Sequence, residues 1–142
     1  MESTPARPLV KEKSADSEKI TINLGFVDLG QIDLLVSEGF YGNRTDFIRT
    51  AIRNQLSTHS QEVHQVVTRK AMAIGAFSYN RRELESLRER NEHLDVKAIG
   101  LFYIADDVTP ELAQAVFNSI EIRGVFRASN AVRAALKDRM RD

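Results

Sequence analysis

No cysteine occurs in the 142 residues. Disulfides and thiolate metal sites are thereby excluded, and the chain suits a reducing compartment. Proline is scarce: of three in all, Pro5 and Pro8 fall near the N-terminus and only Pro110 lies further on. The longest apolar run, residues 98–105, falls far short of the roughly 18 residues of a membrane-spanning helix. The N-terminus lacks the basic-then-apolar order of a secretory signal. A cytoplasmic protein with no membrane partner is expected. Neither sign of charge prevails, with 20 basic against 20 acidic residues; this argues against a protein that coats nucleic acid nonspecifically, but leaves room for a few well-placed donors. Histidine is also rare. His59, His64 and His93 lie in polar stretches with no i, i+4 partner, so no metal site is expected. The scattered glycines form no phosphate loop, and Ser119 and Ser129 sit in no nucleophile motif. Asp106-Asp107 reads as the approach to a helix cap rather than a cation site. Neither an enzyme nor a cofactor is expected.

What the chain does hold is 42% hydrophobic residues, enough for a folded core. The most informative stretch is Lys-Ile-Thr-Ile-Asn-Leu, residues 19–24. Ile20, Ile22 and Leu24 alternate with Lys19, Thr21 and Asn23, the period-2 pattern of a strand with one apolar and one polar face. No second strand-like run follows until about Val66. A lone strand leaves its backbone groups unpaired. Its simplest partner is the same strand of a second copy, antiparallel about a two-fold axis. Such a ribbon fits the DNA major groove, and its polar face would then present Lys19, Thr21 and Asn23 to base edges.

Residues 1–18 hold little that could form a core and read as a disordered tail. After the strand, Leu29, Ile32, Leu35 and Val36 recur at helical spacing, ending near Gly39, a suitable left-handed cap. Asn43 can cap a second helix, with Asp46 at its third position near the positive dipole end. Phe47, Ile48, Ala51, Ile52 and Leu56 form that helix's apolar stripe. One strand and two helices are marginal alone, whereas two intertwined copies could share a core.

The order and spacing of these pieces (Lys-Ile-Thr-Ile-Asn-Leu, a helix, Gly-Phe-Tyr-Gly-Asn-Arg-Thr-Asp-Phe-Ile-Arg, then Ala-Ile-Arg-Asn-Gln-Leu) resemble the ribbon-helix-helix (CopG-like) superfamily of bacterial DNA-binding proteins. The resemblance covers residues 19–58. It implies base reading by Lys19, Thr21 and Asn23. It also implies a phosphate clamp at the start of the second helix, near Asn43, Arg44 and Thr45. The clamp agrees with the anion affinity of a helix N-terminus. Arg44 could alternatively pair with Asp46 or with a partner-chain carboxylate.

Residues 59–65 read as a polar linker, followed by a C-terminal domain over 66–142. Its pattern is strand (66–79), helix from Asn80 with Glu83 at the capping-box position, and a central strand (94–106). A helix opened by Thr109-Pro110-Glu111 follows, then a strand (119–128) with a bulge at Gly124, and a last helix capped by Asn130 that runs to Met140. The expected class is α+β: a ribbon-helix-helix dimer joined to a small α/β domain. The two-part layout resembles the nickel-responsive regulators. That resemblance implies a ferredoxin-like C-terminal domain that assembles tetramers. Their metal site does not carry over, because the matching strand Gly100-Leu101-Phe102-Tyr103-Ile104 holds no ligand and the final strand is replaced by a helix.

The function expected is a sequence-specific transcriptional regulator, a repressor, with double-stranded DNA and a second copy of itself as partners and with any effector unknown. Two other readings are an antitoxin whose C-terminal half binds a protein, and a factor that spreads along DNA during assembly or segregation. An antitoxin tail would be disordered until bound; a spreading factor would show high cooperativity on long DNA.

Overall fold

The computed structural model describes residues 17–142 and the two-residue strand β1 (Arg7–Pro8). The disordered tail expected over 1–18 otherwise lies outside the described residues. The chain divides into two compact units, Ser17–Arg69, and Lys70–Asp142 together with β1. The division thus falls at residue 70, not in a linker over 59–65.

In the first unit, residues 19–24 are neither helical nor paired with any strand of their own chain. Helix α1 (Phe26–Ser37) follows. It stops as the sequence indicates. Gly39 takes φ +86°, the Gly39 amide donates to the Val36 carbonyl, and the Phe40 amide donates to the Leu35 carbonyl. That pair of bonds is a Schellman closure, which requires a left-handed residue and therefore favours glycine. Helix α2 (Arg44–Thr58) opens on Asn43, whose Oδ1 accepts from the Asp46 amide at 2.7 Å.

Where a polar linker and the start of a strand were expected, residues 60–70 form helix α3 (Ser60–Lys70). The reason is legible in hindsight. No glycine or proline lies between Gly42 and Gly75, so nothing local stops helix propagation. Val63, Val66 and Val67 also fall at i, i+3, i+4 spacing. The only break is at His59, where α2 is capped.

The second unit is built on a five-stranded sheet in the order β1-β2-β3-β4-β5. Its strands are β2 (Ala73–Tyr79), β3 (Leu94–Ile104), β4 (Phe117–Arg127) and β5 (Met140–Arg141). β1 lies antiparallel to β2, and every other neighbouring pair is parallel. Between the parallel strands run α4 (Arg81–Glu89), α5 (Pro110–Val116) and α6 (Asn130–Ala135), the last followed by a 3-10 turn at Lys137–Arg139. A ferredoxin-like domain is ruled out by this topology, because that fold joins two of its strands without a helix between them. Here each step from strand to strand crosses over through a helix, as parallel pairing demands.

Three local expectations are corrected. The last helix is capped by Ser129, whose Oγ accepts from the Val132 amide, rather than by Asn130. It ends at Ala135, and the expected loss of the final strand does not occur, since Met140–Arg141 pair with Ile120 and Glu121. The irregularity between β3 and β4 falls at Leu94/Asp95, opposite Asn118, and not at Gly124. The caps expected at Asn80 and Thr109 are present, accepting from the amides of Glu83 and Leu112. Arg139 closes the far end of α5 by donating to the carbonyls of Gln114 and Phe117 at 2.9 and 2.6 Å.

One continuous core fills the space between the sheet and its helices. Phe77, Tyr79, Val96, Ala98, Phe102, Ile104 and Ile120 meet Leu84, Leu87, Leu112, Val116, Val132 and Leu136 there, and no polar side chain is buried with them. Phe102 packs edge-on against Phe117 with ring centroids 5.8 Å apart and lies beside Tyr79 and Phe126.

Candidate nucleic-acid interface

The proposed base readers and phosphate clamp all lie in the Ser17–Arg69 unit. Lys19, Thr21 and Asn23 are exposed, and so are the residues between them: Ile20 is 73% and Ile22 59% accessible. Both faces of the alternating stretch are therefore open in a single chain. The same holds around it. Ile32 is the one buried large apolar side chain of this unit, while Phe26, Val27, Leu34, Phe40, Ile52 and Leu56 stand exposed.

The start of α2 is more elaborate than the sequence suggested. Asn43, Arg44 and Thr45 come together there, all exposed. The Asn43 side chain takes the Asp46 amide, and the Asp46 carboxylate reaches back to the Gly42 amide at 3.0 Å. These reciprocal bonds hold the turn in place, as does Tyr41, which packs edge-on against Phe47 at 5.0 Å. Among the described residues, the amides of Arg44 and Thr45 have no acceptor within the chain. They are the free donors an anion at a helix N-terminus would use.

The Arg44 guanidinium pairs with neither carboxylate the sequence offered. It forms a two-pronged bond with Asp33 of α1 in the same chain, Nε to Oδ1 at 2.7 Å and Nη2 to Oδ2 at 2.8 Å. The hydrogen bonds from Arg44 hold the Asp33 carboxyl below its ordinary range, and Asp33 in turn raises the Arg44 pKa. This fork ties the middle of α1 to the first residue of α2. Asp33 was missed because its partner is eleven residues away and no local spacing joins them. Among the described residues, no three His, Asp or Glu side chains gather in a way that could hold a metal ion, and no helix is long and apolar enough to cross a membrane.

A chain with an unpaired alternating segment, two capped helices and a free helix N-terminus can be compared with known families. The model of a ribbon-helix-helix transcriptional regulator family matches residues 15–133. The chain belongs to that family. As a member it is a DNA-binding transcriptional regulator. The ribbon-helix-helix match extends beyond residue 70 and through β4, so it takes in both units. No curated protein and no solved structure matches the chain.

Proposed function

We propose that this regulator is a repressor that reads a specific DNA sequence with a two-stranded ribbon. Residues 19–24 of two copies pair antiparallel. The ribbon enters the major groove with Lys19, Thr21 and Asn23 of each copy against base edges. The observation that carries the reading is the state of this stretch in one chain: strictly alternating, without a strand partner, and with Ile20 and Ile22 bare. A second copy would supply the missing ladder and cover the isoleucines at the same time.

The phosphate clamp in this reading is mainly backbone. The Arg44 and Thr45 amides face the phosphate, aided by the helix dipole. The Arg44 guanidinium is engaged by Asp33 and serves to fix the direction of α2. The Lys70–Asp142 unit assembles copies further and thereby sets the spacing of half-sites. Its continuous core speaks against the antitoxin reading, which calls for a tail that orders only on its protein target.

The test is selection of bound duplexes from a random pool, followed by sequencing, for the parent and for Lys19→Ala/Thr21→Ala/Asn23→Ala. The reading expects a short repeated motif for the parent and its loss in the triple variant with folding and assembly retained. Equal enrichment by both proteins would end the ribbon assignment.

A further inference from the structure

The sheet of the second unit has two unlike faces. The parallel strands follow one another in sequence order, and α4, α5 and α6 all contribute to the single core on one face. The side chains that alternate with that core point the other way. In register across β2, β3 and β4 they form the rows Ile74–Ile99–Arg123, Ala76–Leu101–Val125 and Ser78–Tyr103–Arg127, preceded by Lys97–Glu121. No helix of the second unit covers these rows, and Ile74 is 65% exposed. That is unusual, because parallel sheets occur almost only with both faces covered.

We propose that this open face is a self-association surface, on which a second copy of the chain packs face to face with its strands antiparallel about a two-fold axis. The register supplies the argument. Gly75, Gly100 and Gly124 form one row across the three strands, and the outward positions lie one and three residues to either side of it. An axis through the glycine row sets Ile99 against Leu101, Ile74 against Ala76, Lys97 against the ring of Tyr103 and Glu121 against Arg127. Opposite charges meet, a cation meets an aromatic face, and aliphatic side chains meet at the centre. Moving the axis one row either way destroys the match. Through Ile99 it places Arg123 on its own copy; through Leu101 it sets Arg123 against Arg127. Glu121 already holds Lys70 at 3.2 Å through Oε2, which leaves its other oxygen for the second copy.

Three strands about 4.8 Å apart and seven residues long present on the order of 300 Å². A lone specific interface buries about 800 Å² per partner. The face therefore acts in addition to the ribbon contact, joining ribbon-linked dimers, and in that sense the inference rests on the ribbon reading.

The experiment measures the solution mass of the full chain by light scattering over a concentration series. The proteins are the parent, Ile22→Glu to break the ribbon, Leu101→Glu to break the sheet face, Ile74→Lys as a second face variant at a well-exposed position, and Ile22→Glu/Leu101→Glu. Circular dichroism checks folding of each. The expectation is four copies for the parent, two for either face variant, two at high concentration for Ile22→Glu, and one for the double variant. Because the chain has no cysteine, Leu101→Cys with a short bifunctional thiol reagent gives an independent reading. It should cross-link copies several-fold more than Glu89→Cys on the exposed side of α4. If Ile22→Glu is monomeric throughout and Leu101→Cys links no better than Glu89→Cys, the proposal is overturned and the ribbon reading stands. If the Leu101→Cys thiol resists labelling in a monomeric form, the chain's own residues cover the face, which also overturns it. If Ile22→Glu keeps the parent mass while the face variants lower it, the ribbon reading fails and this one survives.

Discussion

The two units of this chain differ in what completes them. In Lys70–Asp142 the apolar side chains close on one another, with Leu84, Phe102, Ile104, Leu112 and Phe117 at 0–1% exposure and no polar group buried among them. In Ser17–Arg69 a chain of comparable polarity buries Ile32 and leaves most of its large apolar side chains in water. The first pattern is that of a unit whose stability belongs to the single chain. The second is that of half a core, whose stability belongs to an assembly and varies with concentration. A regulator that reads DNA as a pair gains from this arrangement, because the reading surface forms only when two copies meet.

The contrast is broken most severely by Phe102→Ala, which removes a ring packed against Tyr79, Phe117 and Phe126. Truncation of a buried Phe costs about 3–5 kcal/mol. Denaturant unfolding of the second unit should show that loss equally at every protein concentration. Gly100→Ala follows. Gly100 has φ +131°, and a Cβ there would lie 2.0 Å from the Gly75 carbonyl oxygen. Backbone strain together with that clash should cost on the order of 3 kcal/mol, seen as a lower denaturation midpoint. Ile22→Ala sharpens the comparison from the other side. It should leave the second unit's unfolding midpoint unchanged and lower that of the first unit by an amount that shrinks as protein concentration rises.

The smallest effect concerns Asp33. Its folded pKa is depressed by Arg44, so its contribution is present above the ordinary carboxylate range of about pH 4 and fades as pH falls through the lowered value. Asp33→Asn should therefore differ from the parent near neutral pH and converge with it in acid, followed by circular dichroism of the first unit. Both groups of the pair are well exposed, so the difference will be slight.

How far the fold could be read in advance follows the range of the interactions involved. Caps are local, and Gly39, Asn43, Asn80 and Thr109 were all identifiable from their neighbours within four residues. The central strand β3 was legible from its apolar run. Three features were not. Helix α3 was hidden by polar composition, although nothing in residues 43–74 could stop a helix. The direction of the strands depends on which strands meet, so a strand-helix alternation was compatible with a ferredoxin-like sheet until the pairing was known. The glycine row was invisible because Gly75, Gly100 and Gly124 become neighbours only through the register of three strands. At the candidate interface the exposed positions of Lys19, Thr21 and Asn23 and the cap at Asn43 were anticipated. The Arg44–Asp33 fork, which joins two helices across a turn, was not.

The central claim is that residues 19–24 acquire a ladder only from a second copy, whereas the second unit needs none. Amide hydrogen exchange of the full chain, without DNA, over a dilution series tests it most directly. The account predicts that amides in 19–24 are protected at high concentration and exchange freely on dilution, while those of Val96 and Phe102 in β3 keep their protection throughout. Free exchange of 19–24 at every concentration, or protection that ignores dilution, would contradict it.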